Sequence, residues 1–160
     1  MQCVVTAQQR SWGNPSSLHR IGCNAAESLE RARLSIGESL GADRSNILFS
    51  SGATESVHLA LLGLAKTETP GRLVISAVEH PAVAAAAQHL VTCGWTVEQW
   101  PVDAYGQSQM EQLDRLLDPP TKSASVIWGQ SAVGTLQPIQ AVGEACRLQR
   151  IPFHTDATQV

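Results

Sequence analysis

The sequence predicts an α/β protein of three layers, α/β/α, in which helices cover both faces of a mostly parallel sheet. Two observations predict this class. Short apolar runs alternate with segments of helical periodicity along most of the chain, and the connections between them are short. The length of 160 residues and the hydrophobic fraction of 43% suffice for one buried core.

The elements follow in chain order. Residues 1–21 carry little periodicity, and the run from Trp12 to Ser17 is typical of a loop. Apolar spacing predicts a helix over 24–40, which ends at Gly41. Beyond it, strands are predicted at 47–50, 72–77, 96–102, 123–128 and 152–155, and helices at 55–65, 81–93, 109–117 and 139–150.

Composition excludes several classes of protein. The net charge is −3, and the 11 basic residues form no cluster, which argues against binding to nucleic acid or an anionic membrane. No apolar run approaches the roughly 20 residues of a membrane span, and the first residues lack the features of a signal peptide. The four cysteines are scattered without a C-x-x-C pair, which favours free thiols in a reducing compartment, the cytoplasm.

Small and hydroxylated residues follow the predicted strand at 47–50. Ser51, Gly52 and Thr54 allow a sharp turn into a helix whose first N–H groups point at one spot. Such a spot favours an anion, usually phosphate. The alternative is an ordinary strand–helix turn with a Ser or Thr cap.

Three groups of polar residues follow predicted strands, and the carboxyl ends of parallel strands share one edge of a sheet. These groups are Ser51/Thr54, Glu79/His80 and His154/Asp156/Gln159. A phosphate cradle, an imidazole and a carboxylate together suit a phosphorylated heteroaromatic cofactor. Pyridoxal 5'-phosphate (PLP) needs a carboxylate that keeps its ring nitrogen protonated, because the pyridinium is the electron sink.

Five motifs carry a resemblance to a known family. They are Gly13-Asn14-Pro15-Ser16-Ser17-Leu18-His19, Phe49-Ser50-Ser51-Gly52-Ala53-Thr54-Glu55-Ser56, Glu79-His80-Pro81-Ala82-Val83, Gly134-Thr135-Leu136-Gln137-Pro138-Ile139 and His154-Thr155-Asp156-Ala157-Thr158-Gln159. In this order and near this spacing, they resemble the cysteine desulfurase branch (NifS/IscS-like) of the class V aminotransferases, fold-type I PLP enzymes.

The resemblance implies a role for each matching residue. Thr54 and the backbone of Ala53 would bind the cofactor phosphate. His80 would stack on the pyridine ring and assist proton transfer, Asp156 would pair with the ring nitrogen, and Gln159 would hydrogen-bond the ring hydroxyl. Each also has a structural alternative, since a lone histidine is often a cap, an aspartate can cap the next helix, and a glutamine can simply be exposed.

The chain departs from the family pattern in one loop. Where family members usually carry Asn-Asn-Glu, this chain has Gln130, Ser131 and Ala132. The second Asn of the family triplet normally touches the cofactor or the substrate carboxylate. Ser131 is shorter but keeps one hydroxyl, so it is a candidate cofactor contact of reduced reach.

The covalent groups of the family are the second departure. Its Schiff-base lysine and its sulfur-accepting cysteine lie beyond the region matched here, and neither Lys66 nor Lys122 has the expected context. We therefore expect an N-terminal loop segment at 1–21 and part of the PLP-binding large domain at 22–160, without the C-terminal small domain. Such a fragment would not complete the catalytic cycle alone.

The resemblance also implies a substrate and partners. The family reaction removes sulfur from L-cysteine, leaving alanine and an enzyme persulfide, and its members are homodimers that can hand sulfur to an acceptor protein, as in iron–sulfur cluster assembly. A separately encoded second half is the other expected partner. Two alternatives stay open, namely another class V enzyme (a selenocysteine lyase or aminotransferase) and a non-catalytic partner-binding remnant.

Overall fold

The structure, a computed structural model, describes residues 2–160. They form two compact units, one that ends at Phe49 and one that comprises residues 50–160. The helices are α1 (Gln2–Arg10), α2 (Arg20–Leu40), α3 (Ala53–Ala65), α4 (Pro81–Thr92), α5 (Leu113–Leu117) and α6 (Ile139–Leu148). The strands are β1 (Arg72–Ser76), β2 (Thr96–Trp100), β3 (Thr121–Ser125) and β4 (Phe153–His154).

The N-terminal unit is built on α2. His19 begins this helix as its N-cap, because its Nδ1 accepts the backbone N–H of Gly22 at 3.1 Å. Gly41 ends it in the left-handed conformation, at φ 63°, which glycine adopts without steric cost. The capping contact gives His19 a structural role at the start of α2.

Two sequence-based expectations fail in this unit. A helix occupies Gln2–Arg10, within the segment predicted to be a loop. None of its residues is buried, so its sequence lacks the apolar stripe by which a packed helix is predicted. Ile47 is extended, but the segment 47–50 pairs with no strand of the described residues, so the predicted strand there is wrong. The carbonyl of Ile47 instead accepts a hydrogen bond from the guanidinium of Arg33, whose charge also lies over the ring of Phe49.

The second unit contains a four-stranded sheet in the order β2-β1-β3-β4, and every pair is parallel. Leu73 lies level with Val97 on β2 and with Ser123 on β3. A parallel sheet needs a crossover between neighbouring strands, and α4 supplies it between β1 and β2. The predicted largely parallel sheet is therefore confirmed.

Helices pack on both faces of this sheet, as the three-layer prediction requires. Leu73 and Ile75 of β1 belong to a core with α3 and α4, whereas Val74 faces a second core with α5 and α6. This alternation follows from the two-residue period of a strand, which sends successive side chains to opposite faces. Buried on both faces, the middle of β1 is accordingly a continuous apolar run, Leu73 to Ile75.

Some boundaries differ from the predicted ones. The strand predicted at 123–128 begins at Thr121 and ends at Ser125, since the guanidinium of Arg72 bonds the Thr121 hydroxyl at 2.7 Å and fixes the amino ends of the two strands. The helix predicted at 109–117 is a 3₁₀ turn, Met110–Gln112, followed by the short α5. Within residues 2–160, no helix is long and apolar enough to cross a membrane.

Candidate functional site

A cavity of about 140 Å³ lies where the chain leaves β1, β3 and β4. It is lined by Ala53, His80, Ile127, Gly129, Ser131, Asp156, Thr158 and Gln159. These residues come from the first turn of α3 and from the segments that follow the carboxyl ends of the three strands. This is the edge at which open parallel sheets bind ligands.

Asp156 is the buried carboxylate of the cavity, with a relative exposure of 8%. It comes two residues after β4, and its Oδ1 accepts the backbone N–H of Thr158 at 3.0 Å and the Thr158 hydroxyl at 2.5 Å. Its Oδ2 takes part in no hydrogen bond among residues 2–160, and its atoms are not sealed from the cavity. The side chain is thus held by one oxygen and offers the other to a ligand.

His80 reaches the cavity as the N-cap of α4. Its Nδ1 accepts the N–H of Ala82 at 3.1 Å, and Pro81 occupies the first helical position. An Nδ1 that accepts carries no proton, so the neutral ring holds its proton on Nε2. The cap therefore fixes the tautomer of an imidazole that is itself exposed along the cavity wall.

The start of α3 leaves backbone donors free. Its N-cap, Gly52, has no side chain to satisfy them, and Ala53 is the first helical residue. One turn of the loop is closed by Glu55, whose Oε2 accepts both the N–H and the hydroxyl of Ser51 at 2.6 Å. These bonds hold the pKa of Glu55 below its ordinary value. The remaining N–H groups at this helix start suit an anion.

Ser131 lies at the tip of a tight turn. Gly129 forms an antiparallel bridge with Leu136, and the amide oxygen of Gln130 accepts the N–H groups of residues 132 and 133 at 2.6 and 2.8 Å. Gly134 completes the turn at φ 79°. The side chain of Gln130 therefore closes the loop in which Ala132 stands where the family carries a glutamate.

Glu79 does not line the cavity but bonds a residue of its wall, Ile127. Its Oε1 accepts the backbone N–H of Ile127 at 2.7 Å, while its Oε2 is buried without a hydrogen-bond partner among the described residues. Burial is the main reason that the pKa of Glu79 is raised to about 7; the bond from Ile127 opposes this shift, and the nearby charge of Asp156 adds to it.

His154 joins two strands next to this cluster. Its Nδ1 lies 2.9 Å from the hydroxyl of Ser125 on β3. Burial lowers the pKa of His154, and the nearby charge of Asp156 only partly opposes this. The ring is therefore neutral near pH 7 and links the two strands, which is a structural role.

Most of the sequence-predicted residues come together at this cavity. Ala53, His80, Ser131, Asp156 and Gln159 line it. Thr54 is the next residue of α3 after Ala53, but it is exposed and lies outside the lining. The roles predicted for these residues stay predictions.

Sequence reasoning missed two supporting residues. Thr158 fixes Asp156 through two donors, and the spacing Asp-x-Thr is a signal that could have shown this turn. Glu79 was noted at the end of a strand, but its bond to Ile127 spans 48 residues and has no local signal.

The residues present fit PLP. A cavity of roughly 150 Å³ accommodates a benzene-sized ring, and the 140 Å³ found here opens toward the uncapped start of α3 at Ala53. The unengaged oxygen of Asp156 suits a protonated ring nitrogen, and His80 offers the face of a ring. The phosphate, the ring nitrogen and the ring face of PLP would therefore each have a suitable protein group in this cavity.

The two lysines of the chain lie elsewhere. Lys66 follows the last residue of the 13-residue helix α3, so it is about 20 Å from the cavity end of that helix. Lys122 lies near the amino end of β3, where its Nζ is 3.6 Å from Glu68. Neither side chain lines the cavity.

Comparison with known proteins places the fold in one family. The family model described as aminotransferase class V matches residues 1–160. The cysteine desulfurase NifS of Azotobacter vinelandii is 38% identical over 99% of this chain and 40% of its own length. The cysteine desulfurase IscS of Methanosarcina thermophila is 32% identical over 99% of this chain and 40% of its own length.

Solved structures agree with these relatives. A NifS-like protein superposes with a TM-score of 0.91 at 31% identity, covering 98% of this chain and 44% of that one. SspA, solved in complex with cysteine, also gives a TM-score of 0.91, at 34% identity over 99% of this chain and 46% of that one. The chain thus spans about 40% of the length of the curated relatives it matches. It belongs to the class V aminotransferase family, whose members depend on PLP, and its relatives within that family are cysteine desulfurases.

Proposed function

We propose that this chain is the cofactor-binding part of a PLP-dependent cysteine desulfurase and that the cavity of about 140 Å³ is its PLP site. One observation carries the proposal: His80, Asp156 and the start of α3 meet at one cavity at the carboxyl ends of the strands. In domain terms, residues 22–160 would be part of the PLP-binding large domain. The similarity to NifS and IscS supports this assignment.

Each residue would hold a different part of the cofactor. The free N–H groups at Ala53 and Thr54 would bind the phosphate, with the positive end of the α3 dipole behind them. Asp156 would accept a hydrogen bond from the protonated ring nitrogen through Oδ2, while Thr158 keeps its Oδ1 in place. His80 would cover a ring face with its tautomer fixed.

Two weaker polar contacts would complete the site. Gln159 would reach the ring hydroxyl, and Ser131 would offer one hydroxyl from the turn that Gln130 closes. Bound PLP supplies an electron sink for negative charge at the α-carbon of an amino acid. His80 Nε2 would hold or move a proton at the edge of that site.

The proposed overall reaction converts L-cysteine and an acceptor thiolate to L-alanine and a persulfide. The bond between the cysteine β-carbon and its sulfur breaks, and a sulfur–sulfur bond forms at the acceptor. Because Lys66 and Lys122 both lie away from the cavity, the amine that holds PLP covalently would come from outside these 160 residues. A homodimer or a separately encoded second half, together with a sulfur-acceptor protein, are the partners proposed.

Free thiols support a cytoplasmic location for this protein. Cys3, Cys23 and Cys93 are exposed and Cys146 is buried, and none of them forms a disulfide. Burial raises the pKa of the Cys146 thiol to about 11, so it is not a nucleophile near pH 7.

The test is a titration of the purified chain with PLP, followed by absorbance. We expect saturable binding that weakens about tenfold or more in Asp156→Ala, since a charge-assisted hydrogen bond is lost. Asp103→Ala, an exposed residue whose carboxylate only closes its own loop, is the matched control.

Borohydride reduction and mass spectrometry complete the test. No specific adduct is expected on Lys66 or Lys122. An unchanged PLP affinity in Asp156→Ala would refute the role assigned to Asp156. A specific lysine adduct would show that the chain itself supplies the amine that binds PLP covalently.

A further inference from the structure

Two acidic residues, Glu79 and Asp156, bond consecutive backbone N–H groups just beyond the end of β3, Glu79 through its carboxyl group and Asp156 through its backbone carbonyl. Glu79 Oε1 accepts the N–H of Ile127 at 2.7 Å, and the backbone carbonyl of Asp156 accepts the N–H of Trp128 at 2.9 Å. Glu79 comes from the segment after β1 and Asp156 from the segment after β4, so the end of β3 lies between them. This places the two side chains within electrostatic range of each other.

Their surroundings differ in one decisive respect. Asp156 receives two donors on Oδ1, from the N–H and the hydroxyl of Thr158, and both stabilise a carboxylate. Glu79 receives one donor on Oε1, and its Oε2 is buried without a partner. A buried, half-solvated carboxylate next to a second negative charge is unfavourable. When two such groups share one proton, the less solvated one takes it.

We propose that Glu79 is the proton-holding partner of Asp156: as the pH falls through neutrality the pair takes up one proton, on Glu79, so that Asp156 meets the ligand as a carboxylate while Glu79 fixes the Ile127 amide in the cavity wall. The role of the pair toward a ligand rests on the proposed PLP site. Glu79 is a positioning residue, because it acts through Ile127 and Asp156 and does not line the cavity. The raised pKa of Glu79 agrees with this division.

The ionisable groups around Glu79 are few. His80 follows it in sequence, Asp156 faces it from beyond β4, and His154 lies on β4 in contact with Ser125. The end of β3 at 125–127 and the first turn of α4 carry no charged side chain. No lysine or arginine lines the cavity to stabilise a second carboxylate.

The direct test is a carbon-detected NMR titration of side-chain carboxyl groups in the chain without added ligand. The Glu79 resonance is identified by its loss in Glu79→Gln. We expect a midpoint near 7 for Glu79, and a lower midpoint in Asp156→Asn because the neighbouring charge is gone. A Glu79 midpoint near the ordinary 4.5, or one unchanged in Asp156→Asn, would overturn the proposal.

A second measurement uses PLP as the probe at pH 7. Glutamine imitates a protonated glutamate, so Glu79→Gln should bind PLP within about twofold of the wild-type chain, whereas Asp156→Asn should bind about tenfold more weakly. Glu111→Gln is the control for an exposed glutamate. Equal losses in Glu79→Gln and Asp156→Asn would contradict the proposal. If the wild-type chain binds no PLP, the proposed function fails, and the NMR titration still decides the state of Glu79.

Discussion

The raised pKa of Glu79 makes a prediction about stability that needs no ligand. In the unfolded chain this carboxyl group ionises near 4.5, whereas in the folded chain it keeps its proton up to about 7. Between these values the folded state binds more protons, so the free energy of unfolding must fall as the pH rises through this window. The stabilisation is fully present below pH 4.5 and is lost once the pH passes about 7.

The size of the effect follows from the two pKa values. The interval between 4.5 and about 7 corresponds to about 3 kcal/mol at 1.36 kcal/mol for each pH unit. Glu79→Gln keeps an acceptor for the Ile127 amide but has no proton to lose. We therefore expect the variant to match the wild-type chain near pH 4 and to be more stable by about 3 kcal/mol near pH 8.

Urea denaturation at several pH values between about 4 and 8 measures this difference. His154 acts in the opposite direction, because its pKa is lowered and its contribution increases with pH, but it is present in both proteins and cancels. Glu144→Gln, an exposed substitution on α6, is the matched control and should follow the wild-type curve. Parallel curves for the wild-type chain and Glu79→Gln would refute the reasoning.

Three further outcomes follow from the structure. Thr158→Val removes the hydroxyl donor to Asp156 but keeps the backbone donor, so PLP affinity should fall by roughly three- to tenfold, measured by absorbance titration. Lys66→Met and Lys122→Met should leave PLP affinity unchanged in the same assay, since both side chains lie away from the cavity; a loss in either would contradict the placement. Arg72→Met removes the guanidinium that links the amino ends of β1 and β3. Urea denaturation should show that the free energy of unfolding falls by about 3 kcal/mol. An unchanged midpoint would refute this link.

The fold could be predicted where local chemistry and burial agree. The apolar run of β1 and the Pro81 start of α4 carry strong local signals, and both elements appear within a residue of their predicted bounds. The segment 47–50 has the same apolar character but no strand beside it, and Arg33 takes the carbonyl of Ile47. Pairing is a long-range property, so composition alone misassigned this segment.

The part of the site that could be predicted from the sequence is the set of polar residues that follow the predicted strands. His80 and Asp156 follow β1 and β4 within four residues, and topology alone brings them to one edge. The burial of Glu79, its orphaned oxygen and its bond to Ile127 depend on packing between segments far apart in the chain. Residue spacing does not indicate such contacts, so the role proposed for Glu79 could not be predicted from the sequence.

The most direct test of the central claim is to map where PLP binds. Amide hydrogen exchange of the chain, with and without saturating PLP, reports protection residue by residue. The account predicts new protection confined to the first turn of α3, the start of α4, the segment 127–131 and the segment 156–159. Saturable binding with protection elsewhere, or no change in these four segments, would contradict the assignment of this cavity as the PLP site.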